Sequence, residues 1–228
     1  MSRFKIETIA PLRPEEATYR PDIYSRKGRK KIVNEAKRLV RTSLEYEDYI
    51  FFLKTYVDMV KCAVYSNIKN DGKGKMSIEI HHDPLKLDDI VAIVLNKQII
   101  ENTFVSEFQL ANEVTRLHYQ NKVGLIPLSV SVHELVTHSP DRLKIPLQLI
   151  YGNYTDFLRE YDEYITEDLD TELHGLRQRL KDRYDYTKES LKIQFDELEP
   201  TYTILKVNGQ AIPLPVPVEE EETTHQIA

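Results

Sequence analysis

The sequence predicts a helix-rich α+β protein with a small ββα centre, a long helix near the C-terminus and a closing β-hairpin. Apolar residues recur at three- and four-residue spacing through several stretches before residue 121. Residues 76–81 and 123–128 break that rhythm as short extended runs, the first alternating apolar and polar side chains. Asn208-Gly209 sits between two β-prone runs, which is the strongest short-range hairpin signal. Composition agrees: 41% of the 228 residues are hydrophobic, 30% are charged, and only 7 are Gly. That is the balance of a chain that folds.

Taken in order, residues 1–25 carry Pro11, Pro14 and Pro21 without periodicity and read as an irregular arm. From Lys31, the positions Ile32, Val33, Ala36, Leu39 and Val40 give an amphipathic helix with a basic outer face. Thr42 or Ser43 caps a second helix running to about Tyr65. The turn cluster Asn70-Asp71-Gly72 precedes the first strand, which Pro84 ends. Residues 85–100 and 105–120 form two helices, the latter with Phe108, Leu110, Ala111, Val114 and Leu117 inward. The strand 123–128 and a short helix 132–137 follow, the helix stopped by Ser139-Pro140.

Residues 145–150 read as a strand or edge, 154–164 as a helix, and 169–198 as a long charged helix with leucines three or four apart. That leucine stripe suits internal packing or contact with a second copy. Residues 201–207 and 210–216 are the hairpin arms, followed by an acidic tail. Four segments result: a basic arm with helices (1–75), the ββα segment with a helical insertion (76–140), a helical extension (141–200), and hairpin plus tail (201–228).

The lone Cys62 excludes an internal disulfide and four-cysteine zinc ribbons, so any metal must use His, Asp or Glu. No signal-length or membrane-spanning apolar run is visible, which places the chain in the cytoplasm as an expectation. A net charge of −6 argues against a uniformly basic binder. The charge is uneven, however: Arg26, Lys27, Arg29, Lys30, Lys31, Lys37, Arg38 and Arg41 face only one acid, Glu35, in the same run. This basic patch is the candidate for gripping a nucleic-acid backbone, DNA first.

Five of the seven histidines lie between His81 and His138. Adjacent His81 and His82 at a strand end point to opposite faces, and His133 follows on a short helix. Neutral imidazoles bind divalent metals, and a metal-free one serves as a general base near neutral pH. The helix stretch His133-Glu134-Leu135-Val136-Thr137-His138 misses the zinc-protease spacing by one residue, and no Gly-rich phosphate loop is present.

Ile78-Glu79-Ile80-His81-His82-Asp83-Pro84, followed by Gly124-Leu125-Ile126-Pro127-Leu128-Ser129-Val130-Ser131-Val132-His133-Glu134-Leu135-Val136, resembles the HNH (ββα-metal) endonucleases. The resemblance implies that His81 and His133 hold a divalent cation (Mg, Mn, Ni or Zn) and that His82 activates water. It further implies Asn121 in place of the family's asparagine and His138 as a last ligand if the helix frays. The combination with long helices resembles proteins of large bacteriophages. The implied function is metal-dependent hydrolysis of DNA. The alternative is a non-catalytic phage structural or nucleic-acid-binding accessory protein on the same scaffold.

Overall fold

Ser25 opens the first helix because its hydroxyl accepts the Gly28 amide, satisfying one of the unpaired N–H groups of the first turn. The structure, a computed structural model, describes residues 20–69, 77–138, 145–184, 204–207 and 210–213. Helix α1 (Arg26–Thr42) therefore begins five residues ahead of the expected start. It packs on α3 (Leu87–Ile100) and α4 (Glu107–Tyr119) through Ile32, Val33, Ala36, Leu39 and Val40. Ser43 ends α1 and caps α2 (Leu44–Thr55), accepting from the Tyr46 amide at 3.2 Å.

Helix α2 stops ten residues short of Tyr65. Met59 N–H closes back on the Leu53 carbonyl at 3.1 Å, Asp58 takes a left-handed φ of 63°, and a bridge pairs Lys61 with Lys69. The apolar run that reads as helix instead turns inward, burying Val57, Met59 and Cys62. Tertiary burial outweighs local propensity here.

Strand β1 (Ile78–His82) pairs antiparallel with β2 (Leu125–Ser129), His81 opposite Ile126 and His82 opposite Leu125. Gly124 permits the strand ends to close: a Cβ there would lie 2.0 Å from the Asp83 carbonyl oxygen, and Asp83 N–H donates to the Gly124 carbonyl at 3.1 Å. The backbones approach too closely for any side chain. Helix α5 (Val130–His138) leaves β2 directly and packs on both strands, completing the ββα unit. The inserted α3 and α4 are the centre of the core, with residues 90–95 of α3 all nearly inaccessible. Phe108, expected inward, is exposed.

Residues 145–150 form a 3₁₀ turn (Leu147–Leu149) beside a single bridge between Leu125 and Tyr151, not a strand. The expected helix 154–164 breaks at Tyr161 into α6 (Tyr154–Glu160) and a second 3₁₀ turn, Asp162–Tyr164. The long helix is described as α7 (Leu176–Tyr184), preceded by turns that end at Gly175 with φ +73°; residues 185–200 lie outside the described residues. Leu173, Leu176 and Leu180 are buried in the molecule's own core, so this part of the stripe is internal packing. The hairpin is present: β3 (Ile204–Val207) pairs antiparallel with β4 (Gln210–Pro213), Val207 opposite Gln210. The acidic tail and the N-terminal arm to residue 19 fall outside the described residues.

Candidate functional site

Alternation along β1 decides where each histidine goes. Glu79 and His81 share one face and Ile78, Ile80 and His82 the other. Helix α5 lies over the first face, so the His81 and His133 rings stand 4.7 Å apart between centroids, tilted by 59°. His133 Nδ1 bonds Glu79 Oε2 at 2.6 Å. A carboxylate only accepts, so Nδ1 carries the hydrogen of this bond. The expected convergence of His81 and His133 is present, and Glu79 joins it.

His82 does not take part. It is buried against α4, with Nε2 3.0 Å from Nε2 of His118. His118 Nδ1 faces the Val114 carbonyl at 2.7 Å and must donate to it. Its Nε2 is therefore the acceptor, and His82 Nε2–H is the donor. Tyr46 and Tyr49 meet the His118 ring edge-on at 5.4 and 5.6 Å. Burial holds both imidazoles in the neutral form, pushing His118 down to about 4 and His82 well below its ordinary value, the latter helped by the His118 ring. The residue expected to activate water is hydrogen-bonded in the core.

Asn121 ends α4 in a left-handed conformation with φ 59°. Its N–H donates to the His118 carbonyl at 2.9 Å and its carbonyl accepts from Asn153 at 2.6 Å, while its buried side-chain oxygen has no hydrogen-bond partner. It is placed as a helix terminator. His138 is the last residue of α5, and its side chain lies outside the described residues. Among the described residues no three His, Cys, Asp or Glu side chains are arranged to hold a metal ion. Among the described residues two imidazoles converge and the adjoining Glu79 carboxylate is taken up by His133 Nδ1, so the fit to a bound cation is incomplete.

A cleft of about 250 Å³ adjoins this region between β1, α5 and α7, with His81, Lys86, Asp89, Thr137 and Arg179 among its walls. The buried Thr137 hydroxyl has no partner. Arg179 approaches Asp89 at 3.4 Å, and burial pushes the Asp89 carboxyl up.

The basic run divides as sharply as the histidines. Arg29, expected to meet phosphate, is buried: Nε and Nη2 donate to Asp170 Oδ2 at 3.3 and 2.8 Å, and Nη2 also donates to Asn96 Oδ1. Asn96 Nδ2 passes the network on to the Tyr164 carbonyl at 3.0 Å. A buried guanidinium needs such a partner, so Arg29 seats α1 instead of facing solvent. Lys37 is half-buried against Asp88, Arg38 pairs with Glu35 along the helix, and Lys30 stands 3.9 Å from Glu172. Arg26, Lys27, Lys31 and Arg41 are exposed.

Sequence reasoning missed Glu79 and His118. The same two-residue alternation that split the histidines signalled Glu79. His118 falls four residues after Val114 on the buried face of α4, a helical spacing that marked it as inward.

Fold and site together define a helix-rich α+β protein in which a ββα unit is built around two separate histidine pairs. Residues 4–209 match the family of bacteriophage G278-like virion proteins, and the chain belongs to that family. Neither a curated protein nor a solved structure matches it. Among the described residues no helix is long and apolar enough to cross a membrane.

Proposed function

We propose that the chain is a structural component of the phage particle that uses the ββα unit as scaffold and performs no hydrolysis. The observation that carries this reading is the burial of His82: the imidazole in the position of a general base is 6% exposed and is bonded through Nε2 to His118 in the core. Abstracting a proton from water requires a nitrogen within hydrogen-bond reach of that water. Membership of a virion protein family supports the same reading.

The test has two arms. Mass spectrometry of purified particles is expected to find the chain at a fixed copy number relative to the major capsid protein. A plasmid-nicking assay with Mg²⁺, Mn²⁺, Ni²⁺ or Zn²⁺ is expected to show no cleavage. Nicking by the wild type that His82→Ala or His81→Ala removes would overturn the proposal.

The second reading, a metal-dependent DNA endonuclease, is favoured by the 4.7 Å approach of the His81 and His133 rings on a ββα unit. In that reading the two imidazoles hold a divalent cation, which polarises the scissile phosphate, and His138 is the sequence's candidate for a third donor. Calorimetric titration of the apo-protein with Zn²⁺ or Ni²⁺, with His133→Ala as control, separates metal binding from catalysis.

A further inference from the structure

We propose that the outer arc of α1 is a docking surface for the phosphate backbone of duplex DNA, recognised by charge and not by sequence. At 100° per residue, Arg26, Lys30, Arg41, Asn34, Lys27, Arg38 and Lys31 fall within roughly 140° of the helix circumference. All seven are exposed, and the opposite side is buried through Ile32, Val33, Ala36, Leu39 and Val40. Six of the seven are cations and none is an acid. Two acids reach the arc, Glu35 against Arg38 at its edge and Glu172 at 3.9 Å from Lys30. The arc therefore carries a net charge of about +4, along about 22 Å of helix at 1.5 Å per residue.

The chemistry of the arc selects its partner. A protein interface of this size draws its energy from buried aromatic and aliphatic anchors and is depleted in lysine; the arc has no apolar side chain. It has donors throughout and, apart from Asn34, no side-chain acceptor. A length of about 22 Å of duplex axis presents roughly 13 phosphate charges, more than enough to engage every cation. The buried Arg29–Asp170 and Asn96 network fixes α1 to the core from behind, so the charges are held on a rigid rod. Arg29, though part of the same basic run, is committed inside the molecule and stands outside the surface, while Lys37, half-buried on the arc, is offset by its ion pair with Asp88. The proposal does not depend on incorporation into the particle or on the histidine pairs.

The experiment is fluorescence anisotropy of a labelled duplex of roughly 20 base pairs with the full-length chain across a salt series. Four net phosphate contacts predict a slope of about −3.6 in log affinity against log salt, a loss of roughly 150-fold between 50 and 200 mM. The variant Arg26→Glu/Lys27→Glu/Lys31→Glu/Arg41→Glu is expected to flatten that slope to near zero, while Lys37→Gln leaves it within one unit. Circular dichroism melts of both variants check that they remain folded. An unscrambled comparison across two unrelated duplex sequences is expected to give equal affinity. No binding by the wild type at 50 mM salt overturns the proposal, as does a slope that survives the fourfold reversal. Tighter binding of polyglutamate than of the duplex at equal charge concentration and salt also overturns it, assigning the arc to an acidic protein segment.

Discussion

His81 and His82 are neighbours in sequence yet belong to different chemistries. His81 faces α5 and meets His133, a half-buried pair joined by Glu79. His82 faces α4 and shares one hydrogen bond with His118 in the core. The strand's two-residue period separates them, and the surroundings then set their properties. Toward the surface two half-buried imidazoles face each other beside a carboxylate; inside, two are held neutral and act as packing with a polar contact. An adjacent histidine pair is thus a statement about two faces, and function follows from what covers each.

The comparison is broken most directly by truncation. His118→Ala removes a fully buried ring and strands the His82 N–H, costing about 2–5 kcal/mol, or a fall in Tm of roughly 5–15 °C for a chain of this size. His133→Ala is expected to cost less than about 1 kcal/mol, the range for a partly exposed contact. Thermal melts of the two variants check this, and equal losses would show that the inner pair is no more structural than the outer one.

Acid sharpens the contrast. The folded-state values of His82 and His118 lie below the unfolded value of 6.5. The unfolded chain therefore takes up protons first as pH falls, and the pair's contribution is fully present above about 6.5. It declines toward about 4, the value for His118, at up to about 1.4 kcal/mol per pH unit for each proton. Denaturant melts between pH 7 and 4 are expected to show this decline in the wild type and in His81→Gln/His133→Gln. A double variant with apolar rings or chains at 82 and 118 should have a flatter profile.

Reactivity gives a third measure. Diethylpyrocarbonate is expected to modify His81 and His133 at least about tenfold faster than His82 and His118, whose access requires local opening; peptide mass spectrometry over time reads the rates. The smallest effect is expected from Glu79→Gln, below about 1 kcal/mol in stability, because the Glu79–His133 contact is partly solvated.

Much of this was legible in the sequence because it is local. The periods of α1, α3 and α4, the alternation of β1, the short helix after β2 and the Asn208-Gly209 turn all announce themselves over a few residues. The convergence of His81 with His133 followed from the order strand, strand, helix. What the sequence did not disclose are long-range choices. The end of α2 is set by where Val57, Met59 and Cys62 find the core, and the turns before α7 by the commitment of Asp170 to Arg29. Alternation showed that His81 and His82 part company, but which face α4 would cover is a tertiary fact. The basic run misled in the same way: eight cations look alike until Arg29 turns out to have a buried acidic partner in Asp170 and Lys37 a half-exposed one in Asp88.

The bond between Arg29 and Asp170 spans 141 positions of chain, and that separation has a consequence for synthesis. At the pace of translation, about 5–20 residues per second, Asp170 leaves the ribosome roughly 7–28 s after Arg29. For that interval the first helix has been made while the acid that receives its buried guanidinium has not. Nascent and finished molecules therefore differ at one point of the charge pattern: a chain released before residue 170 keeps the apolar seat of the helix on α3 and α4 but lacks the acid that receives Arg29.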